Sequence, residues 1–483
     1  MYEFFSSFLC RLNVKLYGSK TTLKKNKILI TAQNLQWRTI RDFSTKEFKK
    51  GDAFFNSVIS QLRENDENEI VTIYPLGYSI SNLKVIIDKR KRQKDIIHKP
   101  FDIYWSLDIW KKGRKAKKYF SSLWKDLKND ENFKNLLEYE DIKFDLLENE
   151  LSYYFMTVFG MMVEYIEMAK RMIDEEKPDL ILLLNEYGRF ERALVIAGKL
   201  KGVPVLAVQH GAIYPTHKAY MYAQDEISRD GSVTSPYCPI PDITAVYGTY
   251  HKDILTKVSA YPDDSVVVTG QPRYDVLYCA NKIYDNEKFF KRYKINPDHK
   301  IVLWATACHG YSNEENIKNF KTVFETMQNI KDATLIIKPH PGEGERYTKM
   351  IKEYLKEYKI DAVLTPKNSD TYEQLFICDL MITKDSTTAM EAISLNKPVI
   401  VLNLSGEPDV VDYVAQAVAL GVYRGEDLKP AIENLLKGDT DLAKNRERYI
   451  EKYLYKIDGK ATERVVKLVE EIIRKRDKQN VNL

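Results

Sequence analysis

The chain has 483 residues, of which 44% are hydrophobic and 30% are charged, and its formal net charge is +5. This balance is typical of a folded protein with large cores and roughly two or three domains, and it argues against an intrinsically disordered chain. The five cysteines have no Cys-x-x-Cys spacing, which argues against a disulfide framework or a cysteine-bound metal and fits a reducing cytoplasm. They are Cys10, Cys238, Cys279, Cys308 and Cys378.

The sequence also gives no sign of a membrane span or a signal peptide. No apolar run reaches the ~18 residues that a spanning helix needs. The first residues, Met1-Tyr2-Glu3-Phe4-Phe5, have neither the basic start nor the small-residue cleavage site of a secretory signal. We therefore expect a cytoplasmic protein.

The first half of the chain predicts strands separated by helices. Residues 1–25 are interpreted as a short helical extension. The continuous apolar run at 179–184 indicates a strand that is buried on both faces. Strands are predicted at 27–31, 70–74, 179–184, 203–208 and 243–247. Helices are predicted at 53–62, through most of 100–177, and at 189–200 and 250–258.

The second half repeats this alternation. Strands are predicted at 265–269, 300–305, 333–337, 361–364, 379–382 and 398–402. Helices are predicted at 314–329, 345–357 and 387–394, with a charged helical tail at 440–476. Strands that alternate with helices of about 10–15 residues form βαβ units, so the predicted fold class is α/β with parallel sheets. We expect the change from one sheet to the other near residue 250.

One segment, residues 84–125, is strongly basic. It holds 14 Lys and Arg against four Asp, an excess larger than the net charge of the whole chain. Aromatic residues are interleaved with these charges. The segment fits a solvated helix face, or a surface for anionic lipid or an anionic acceptor. No nucleic-acid-binding motif accompanies the charge, so a nucleic acid partner is not expected.

Polar residues follow two strands of the second half. Lys338-Pro339-His340-Pro341 comes after the strand at 333–337, and Asp385-Ser386-Thr387-Thr388 comes after the strand at 379–382. Ligands of open α/β sheets bind beyond the carboxyl ends of the strands, so the two segments together indicate a phosphorylated ligand. Ser386 and the threonines after it are also what an ordinary helix N-cap would use.

The individual side chains of this site have distinct expected roles. His340 can donate a hydrogen bond to a phosphate oxygen of a leaving group. Glu391 can accept hydrogen bonds from a ribose diol, or it is a surface acid near a helix start. Lys338 and Lys384 either add positive charge or are solvated.

Strand ends of the first half carry candidate acid–base residues. Glu186 and His210 end neighbouring strands and suit general-base work, although both could instead cap backbone groups. Gly270 opens the turn Gly270-Gln271-Pro272-Arg273-Tyr274-Asp275 after the strand at 265–269. Arg273 either binds phosphate or pairs with Asp275.

In this order the motifs resemble the GT-B glycosyltransferases of the surface and capsular polysaccharide group. This group includes CDP-glycerol glycerophosphotransferases, bacterial polysialyltransferases and capsule Kdo transferases. The resemblance covers most of residues 175–420. The matching motifs are His-Gly (His210, Gly211), Gly-x-Pro-Arg-x-Asp (Gly270, Pro272, Arg273, Asp275), Lys-Pro-His-Pro (Lys338 to Pro341), and the Ser-Thr strand end with its glutamate (Ser386, Thr387, Glu391).

The resemblance implies two Rossmann-like domains with parallel sheets that face a cleft, and C-terminal helices that pack back. Residues 1–250 would bind the acceptor and carry a basic helical insertion at 84–170. Residues 251–440 would bind the nucleotide-activated donor, and 441–483 would form the tail. The expected donor-binding residues are His340, Lys338, Ser386, Thr387, Thr388, Glu391, Arg273 and Gly270.

The resemblance leaves the catalytic base open. In the glycerophosphotransferases the histidine of the His-Gly motif serves as the base, which points to His210 here. In the polysialyltransferases an acidic residue serves, and this chain has no clear copy of their Asp/Glu-Asp/Glu-Gly motif. Glu186 is then the nearest acidic candidate.

The expected function is transfer of a sugar or polyol phosphate from a CMP-, CDP- or UDP-linked donor to a hydroxyl of a cell-surface glycan or lipid-linked acceptor. No Asp-x-Asp pair ends a strand, so we expect chemistry without a metal and no cofactor beyond the donor. Inversion of the anomeric configuration is expected from the resemblance to the family alone. The protein would act at the inner face of the membrane, with 84–125 in contact with anionic lipid. The alternatives are a non-hydrolysing UDP-N-acetylglucosamine 2-epimerase, for which the region 84–170 is superfluous, and a non-catalytic assembly scaffold.

Overall fold

The computed structural model describes residues 25–76, 80–140, 142–224, 226–227, 238–360 and 362–481. The predicted N-terminal extension, apart from Lys25, lies outside the described residues, as does Cys10. Among the described residues, no helix has both the length and the apolar character that crossing a bilayer requires.

The N-terminal half builds a parallel sheet of seven described strands in the order β5-β4-β1-β6-β7-β8-β9. A separate antiparallel hairpin, formed by β2 and β3, follows the first strand. In chain order these strands are β1 (Asn26–Thr31), β2 (Trp37–Arg41), β3 (Phe48–Asp52), β4 (Asn68–Tyr74), β5 (Ile97–Pro100), β6 (Leu180–Leu183), β7 (Val205–Val208), β8 (Ile243–Val246) and β9 (Val266–Val268).

Helices cover both faces of this sheet, which explains why all four residues of β6 are buried and apolar. Residues 100–177 are mostly helical, as predicted. The helices of this half are α1 (Asn56–Leu62), α2 (Ile80–Arg92), α3 (Leu107–Leu127), α4 (Glu131–Leu137), α5 (Phe144–Tyr153), α6 (Phe159–Glu176), α7 (Arg189–Lys201) and α8 (Thr249–Asp253). Single π-helical turns follow α5 and α8, at Tyr154–Val158 and Ile254–Val258.

Two strands lie where the sequence did not place them. β5 falls inside the region predicted as a helical insertion, and it pairs in parallel with β4 as an edge of the first sheet. β9 pairs with β8 and belongs to the first sheet as well, so that sheet continues past residue 250. Local sequence predicts a strand but does not encode which sheet it joins.

The C-terminal half builds a second parallel sheet of six described strands in the order β12-β11-β10-β13-β14-β15. Its strands are β10 (Lys300–Ala305), β11 (Ala333–Lys338), β12 (Ala362–Leu364), β13 (Leu380–Thr383), β14 (Val399–Leu402) and β15 (Leu420–Val422). The order reverses direction at β10 and β13, and such a switch point is where open α/β sheets bind ligands. The sequence analysis did not predict β15, which has only three residues.

The helices of this half end in a tail that returns to the first domain. They are α9 (Asp275–Tyr278), α10 (Ala280–Ile283), α11 (Asn286–Tyr293), α12 (Asn313–Gln328), α13 (Glu345–Tyr358), α14 (Thr371–Ile377), α15 (Thr388–Ser394), α16 (Leu428–Lys437), α17 (Thr440–Tyr449) and α18 (Ala461–Val481). Val465, Val466 and Val469 of α18 are buried in the same apolar core as β1 and β6. The predicted packing of the C-terminal helices against the rest of the chain is therefore confirmed.

Candidate functional site

A cleft of about 410 Å³ lies between the hairpin β2–β3 on one side and the strand ends of the second sheet on the other. Six of the predicted donor-binding residues line this cleft together. They are His340, Arg273, Ser386, Thr387, Thr388 and Glu391. Residues 367–372, which run from the loop after β12 into the start of α14, also line the cleft.

Ser386 stands between the end of β13 and the start of α15. Its Oγ accepts a hydrogen bond from the backbone N–H of Thr388 at 3.1 Å, so the residue does cap the helix start. Because Ser386 and Thr387 also face the cleft, the capping role and a contact with ligand are compatible. Lys384 is not a solvated charge, since it forms an ion pair with Glu315 of α12.

His340 is exposed in the loop after β11. Its Nδ1 accepts a hydrogen bond from the backbone N–H of Gly342 at 3.0 Å. A neutral imidazole with an accepting Nδ1 carries its proton on Nε2. That nitrogen can donate to an anion in the cleft, which suits the predicted interaction with a leaving phosphate.

Lys338 was expected to bind the donor, but the structure buries it below the cleft. Its ammonium donates to the backbone carbonyl oxygens of Pro339 at 3.0 Å and Lys367 at 2.7 Å. Burial lowers the pKa of Lys338 to about 8. Lys338 therefore ties the His340 loop to the loop after β12 instead of facing a ligand.

Gly270 was also expected at the donor site, and the structure places it elsewhere. Its φ of 78° is in the left-handed region that only glycine adopts freely. A Cβ at this position would lie 3.2 Å from the Cβ of Ala461 at the start of α18. Gly270 therefore makes the turn that allows the tail helix to approach.

Arg273 and Glu391 contact each other at the floor of the cleft, although Arg273 follows β9 of the first sheet and Glu391 lies in α15 beside the second. The guanidinium also lies 5.2 Å from the ring centroid of Phe54. Burial raises the pKa of Glu391, and the charge of Arg273 partly offsets that effect. Asp275, the alternative partner of Arg273, instead accepts hydrogen bonds from the backbone of Ala461 and Thr462 and so caps α18.

His210 lies next to the cleft, behind Phe54. The ring centroids of His210 and Phe54 are 6.1 Å apart, and Phe54 lines the cleft. Burial lowers the pKa of His210 from 6.5, and the nearby His217 and Arg273 lower it further. The imidazole is therefore neutral at pH 7 and able to accept a proton.

Glu186 lies away from the residues that line the cleft. It is fully buried, and its carboxylate accepts hydrogen bonds from Thr244 Oγ1 at 2.8 Å and from the Tyr261 hydroxyl. Both oxygens are therefore occupied. Burial raises the pKa of Glu186, but without access to the cleft this does not make it a base for a substrate. The geometry favours His210.

The sequence analysis missed an aromatic cluster around His210. The ring of Tyr187 lies 6.1 Å from His210 and 5.4 Å from His217. His217 also contacts Tyr214 and Tyr220, at 5.3 Å and 5.1 Å. The loop after β7 contains Tyr214, His217 and Tyr220, and this aromatic content was the available signal for a surface that could receive an acceptor.

The hairpin β2–β3 was missed as well, although it forms one wall of the cleft. Arg38, Arg41 and Lys50 line the cleft from this hairpin. Arg41 crosses to the second domain, where its Nε and Nη2 lie 2.9 Å and 2.8 Å from Oδ2 of Asp370. The cluster of basic residues soon after the first strand was the only signal in the sequence.

The side chains of the cleft that the structure describes do not form a metal-binding cluster. Across the described ranges, no three His, Cys, Asp or Glu side chains are grouped closely enough to hold a metal ion. The polar groups of the cleft are mainly hydroxyls and cations, which suit an anionic ligand.

The sequence profile of the CDP-glycerol:poly(glycerophosphate) glycerophosphotransferase family matches residues 118–471. The chain is also 24% identical over 201 residues to a processive diacylglycerol beta-glucosyltransferase from Bacillus licheniformis, a match that covers 40% of this chain and 49% of that protein. It is 24% identical over 219 residues to a teichoic acid poly(ribitol-phosphate) polymerase from Bacillus spizizenii, covering 42% of this chain and 33% of the polymerase. The chain thus matches less than half the length of either relative.

Solved structures show the same fold at low sequence identity. UDP-GlcNAc 2-epimerase from Neisseria meningitidis, bound to UDP-GlcNAc, superposes with a TM-score of 0.54 at 14% identity, covering 93% of this chain and 100% of the epimerase. A glycosyltransferase from Rickettsia africae gives 0.50 at 13% identity, covering 93% and 99%. These likenesses concern the fold alone, and they confirm the expected GT-B arrangement.

Proposed function

Because the chain belongs to the CDP-glycerol:poly(glycerophosphate) glycerophosphotransferase family and is therefore an enzyme of the glycosyltransferase type, we propose that it transfers a polyol phosphate or sugar from a nucleotide-activated donor to a hydroxyl of a cell-envelope glycan or lipid-linked acceptor. The observation that supports this most is the shared cleft. Segments that follow strands of both sheets bring Ser386, His340 and Arg273 to this cleft, a combination of side chains that suits an anionic donor. The family favours a CDP-linked polyol as the donor.

In the proposed reaction, an acceptor hydroxyl attacks the phosphorus that carries the polyol. The new bond joins the acceptor oxygen to phosphorus, and the bond from phosphorus to the nucleoside monophosphate breaks. His210 takes the hydroxyl proton, because it is neutral and lies beside the cleft. The aromatic surface of Tyr187 and His217 lies next to His210 and suits the approach of the acceptor.

Negative charge then develops on the departing nucleotide phosphate. His340, Ser386 and Thr387 line the cleft, and the imidazole Nε2–H and the two hydroxyls would donate hydrogen bonds to that charge. Donors that are fixed before the reaction cost no reorganisation when the charge appears, and each is worth about 3 kcal/mol in the transition state. The transfer would proceed without a metal ion, since these groups and the basic residues of the cleft would stabilise the negative charge of the phosphates.

The basic segment 84–125 suggests where the enzyme would meet a lipid-linked acceptor. On α3, Leu107, Trp110 and Tyr119 are 56%, 37% and 63% exposed, and Lys115 and Lys118 on the same helix are also exposed. Exposed aromatic residues beside lysines suit the interface of an anionic membrane. This surface would hold the enzyme at the inner face of the membrane, where a lipid-linked acceptor is presented.

The decisive experiment combines nucleotide binding with turnover. Isothermal titration with CMP, CDP and UDP should show binding to the purified protein, and release of CMP from CDP-glycerol should require an acceptor. A non-catalytic scaffold predicts no nucleotide binding. An epimerase predicts conversion of UDP-N-acetylglucosamine without any acceptor, and that result would also refute the proposal.

A further inference from the structure

Arg38 differs from the other arginines of the cleft, Arg41 and Arg273, because its guanidinium has no bonded partner. Within the part of the chain that the structure describes, its guanidinium forms no hydrogen bond and no ion pair, while its side chain stays exposed to the cleft. By contrast, Arg273 is bonded to Glu391, and Arg41 is bonded to Asp370. An unpaired guanidinium inside a cleft is available for a ligand.

The electrostatic surroundings of Arg38 favour an anion beside it. Partial desolvation in the cleft, followed by the charge of Arg273, lowers the pKa of Arg38 below its usual value, whereas Glu391 and Asp52 favour its charge. Neither carboxylate accepts a hydrogen bond from it: Asp52 Oδ1 binds the backbone of Phe54 and Phe55 instead. Two guanidiniums that face one space repel each other, and an anion between them relieves that repulsion.

We propose that Arg38 is a donor-binding residue, which contacts the phosphates of the nucleotide-activated donor from the N-terminal side of the cleft. This inference rests on the proposed function. Arg38 lines the same cleft as His340 and Ser386 but comes from the other domain. The phosphates would therefore be held between the two domains, with a planar guanidinium fork on one side and hydroxyl and imidazole donors on the other.

Arg41 acts as a positioning residue for Arg38. It lies on the same strand, β2, and its bonds to Asp370 fix the hairpin to the second domain. Asp370 is itself held, because it accepts hydrogen bonds from the Tyr284 hydroxyl and the Tyr372 backbone, both at 3.1 Å. Separation of the domains would break this contact and withdraw Arg38 from the phosphates.

The test measures phosphate-dependent affinity by titrating the full-length protein with CDP and with cytidine, and with UDP and uridine. Arg38→Ala should weaken binding of the diphosphate about 10- to 100-fold, as expected for a charge-assisted contact, and leave nucleoside binding unchanged. The diphosphate affinity of Arg38→Lys should lie between those of wild type and Arg38→Ala, because lysine keeps the charge but lacks the planar guanidinium fork. The matched control is Lys49→Ala in the same hairpin, whose ammonium faces Asp42 at 3.6 Å and does not line the cleft.

Three outcomes overturn the proposal. If Arg38→Ala binds the diphosphate as tightly as wild type does, Arg38 does not contact the phosphates. If Arg38→Ala loses affinity for the nucleoside and the diphosphate equally, the role of Arg38 is purely structural. A wild-type protein that binds neither CDP nor UDP refutes the proposed function itself. Thermal unfolding without ligand should confirm that Arg38→Ala and Arg38→Lys are folded. As a single substitution, Arg41→Gln should weaken diphosphate binding. In the Arg38→Ala background it should cause no further loss of diphosphate affinity.

Discussion

The guanidinium of Arg273 donates a hydrogen bond to the carboxylate of Glu391 at the floor of the cleft, and this contact links the turn after β9, the last strand of the first sheet, to α15. The sequence analysis assigned the two residues separate roles, one at the phosphate and one at the ribose. Their pairing means that each also neutralises the other in a buried place. Removing one partner therefore leaves an uncompensated charge.

Arg273→Ala should destabilise the protein by about 3 kcal/mol at pH 8 and by less at pH 5. Unfolded Glu391 ionises near its usual pKa of 4.5, whereas burial raises the pKa of the folded group, and loss of Arg273 raises it further. The folded state then binds more protons than the unfolded state, so stability falls as the pH rises above 4.5. Urea unfolding at the two pH values measures the difference.

The control for this prediction is the double variant Arg273→Ala, Glu391→Gln. It removes the titrating carboxyl, so the extra pH dependence should disappear while part of the destabilisation remains. A single variant Arg273→Ala with the same stability deficit at pH 5 and pH 8 would falsify the buried pairing.

The sequence was sufficient for most strands of both sheets, because runs such as Leu180–Leu183 are apolar throughout and are recognisable without context. It was also sufficient for the strand-end segments around His340 and Ser386, since parallel strands direct their carboxyl ends to one edge of a sheet. The shared cleft that these segments line follows from that geometry.

The remaining features depend on contacts that local sequence does not encode. The partner of Arg273 lies 118 residues away in the chain, in α15, whereas Arg273 itself follows β9. The hairpin β2–β3 is rich in Lys and Arg, so it lacks the apolar pattern of a buried strand. Lys338 sits beside His340 in sequence but points into the protein, a direction that only the packed loop determines.

His210 should be the base of the reaction. His210→Ala should lower kcat by about 100- to 10,000-fold while CDP affinity is retained, because the imidazole lies behind Phe54 and not among the phosphate-binding groups. Glu186→Gln should keep turnover, since both oxygens of Glu186 bond to Thr244 and Tyr261. Turnover that survives in His210→Ala but is lost in folded Glu186→Gln would reverse the assignment.

The pH profile of wild-type turnover gives an independent measurement of the base. Burial, His217 and Arg273 all lower the pKa of His210 from 6.5. A base with a lowered pKa stays neutral to lower pH, so kcat/KM should decline only below pH 6.5. An acidic limb centred above 6.5 would point to another group.

Turnover should not depend on a divalent metal ion. His340, Ser386 and several basic side chains line the cleft, and in the proposed complex they would neutralise the donor phosphates without a metal ion. Activity measured after dialysis against EDTA should equal that of untreated protein. Loss of activity with EDTA and its recovery with magnesium or manganese would show that this part of the proposal is wrong.

The basic face of α3 should bind anionic membranes. Lys115→Glu with Lys118→Glu should reduce co-sedimentation with phosphatidylglycerol vesicles, because each lysine near such a surface contributes about 1 kcal/mol and reversal also adds repulsion. The matched control is Lys349→Glu with Lys352→Glu on α13, which are exposed lysines outside this face. Equal binding by both double variants would exclude α3 as the membrane contact.

His340 should stabilise the leaving nucleotide rather than bind the resting donor. Its Nδ1 accepts a hydrogen bond from the backbone N–H of Gly342 at 3.0 Å, so a neutral ring carries its proton on Nε2, which in the proposed reaction would donate to the departing phosphate. His340→Ala should therefore lower kcat about 100-fold with a smaller change in KM. His340→Gln retains a side-chain N–H donor and should recover part of the rate. Equal kcat for His340→Ala and wild type would assign the imidazole to the loop structure alone, and stopped-flow release of CMP measures the difference.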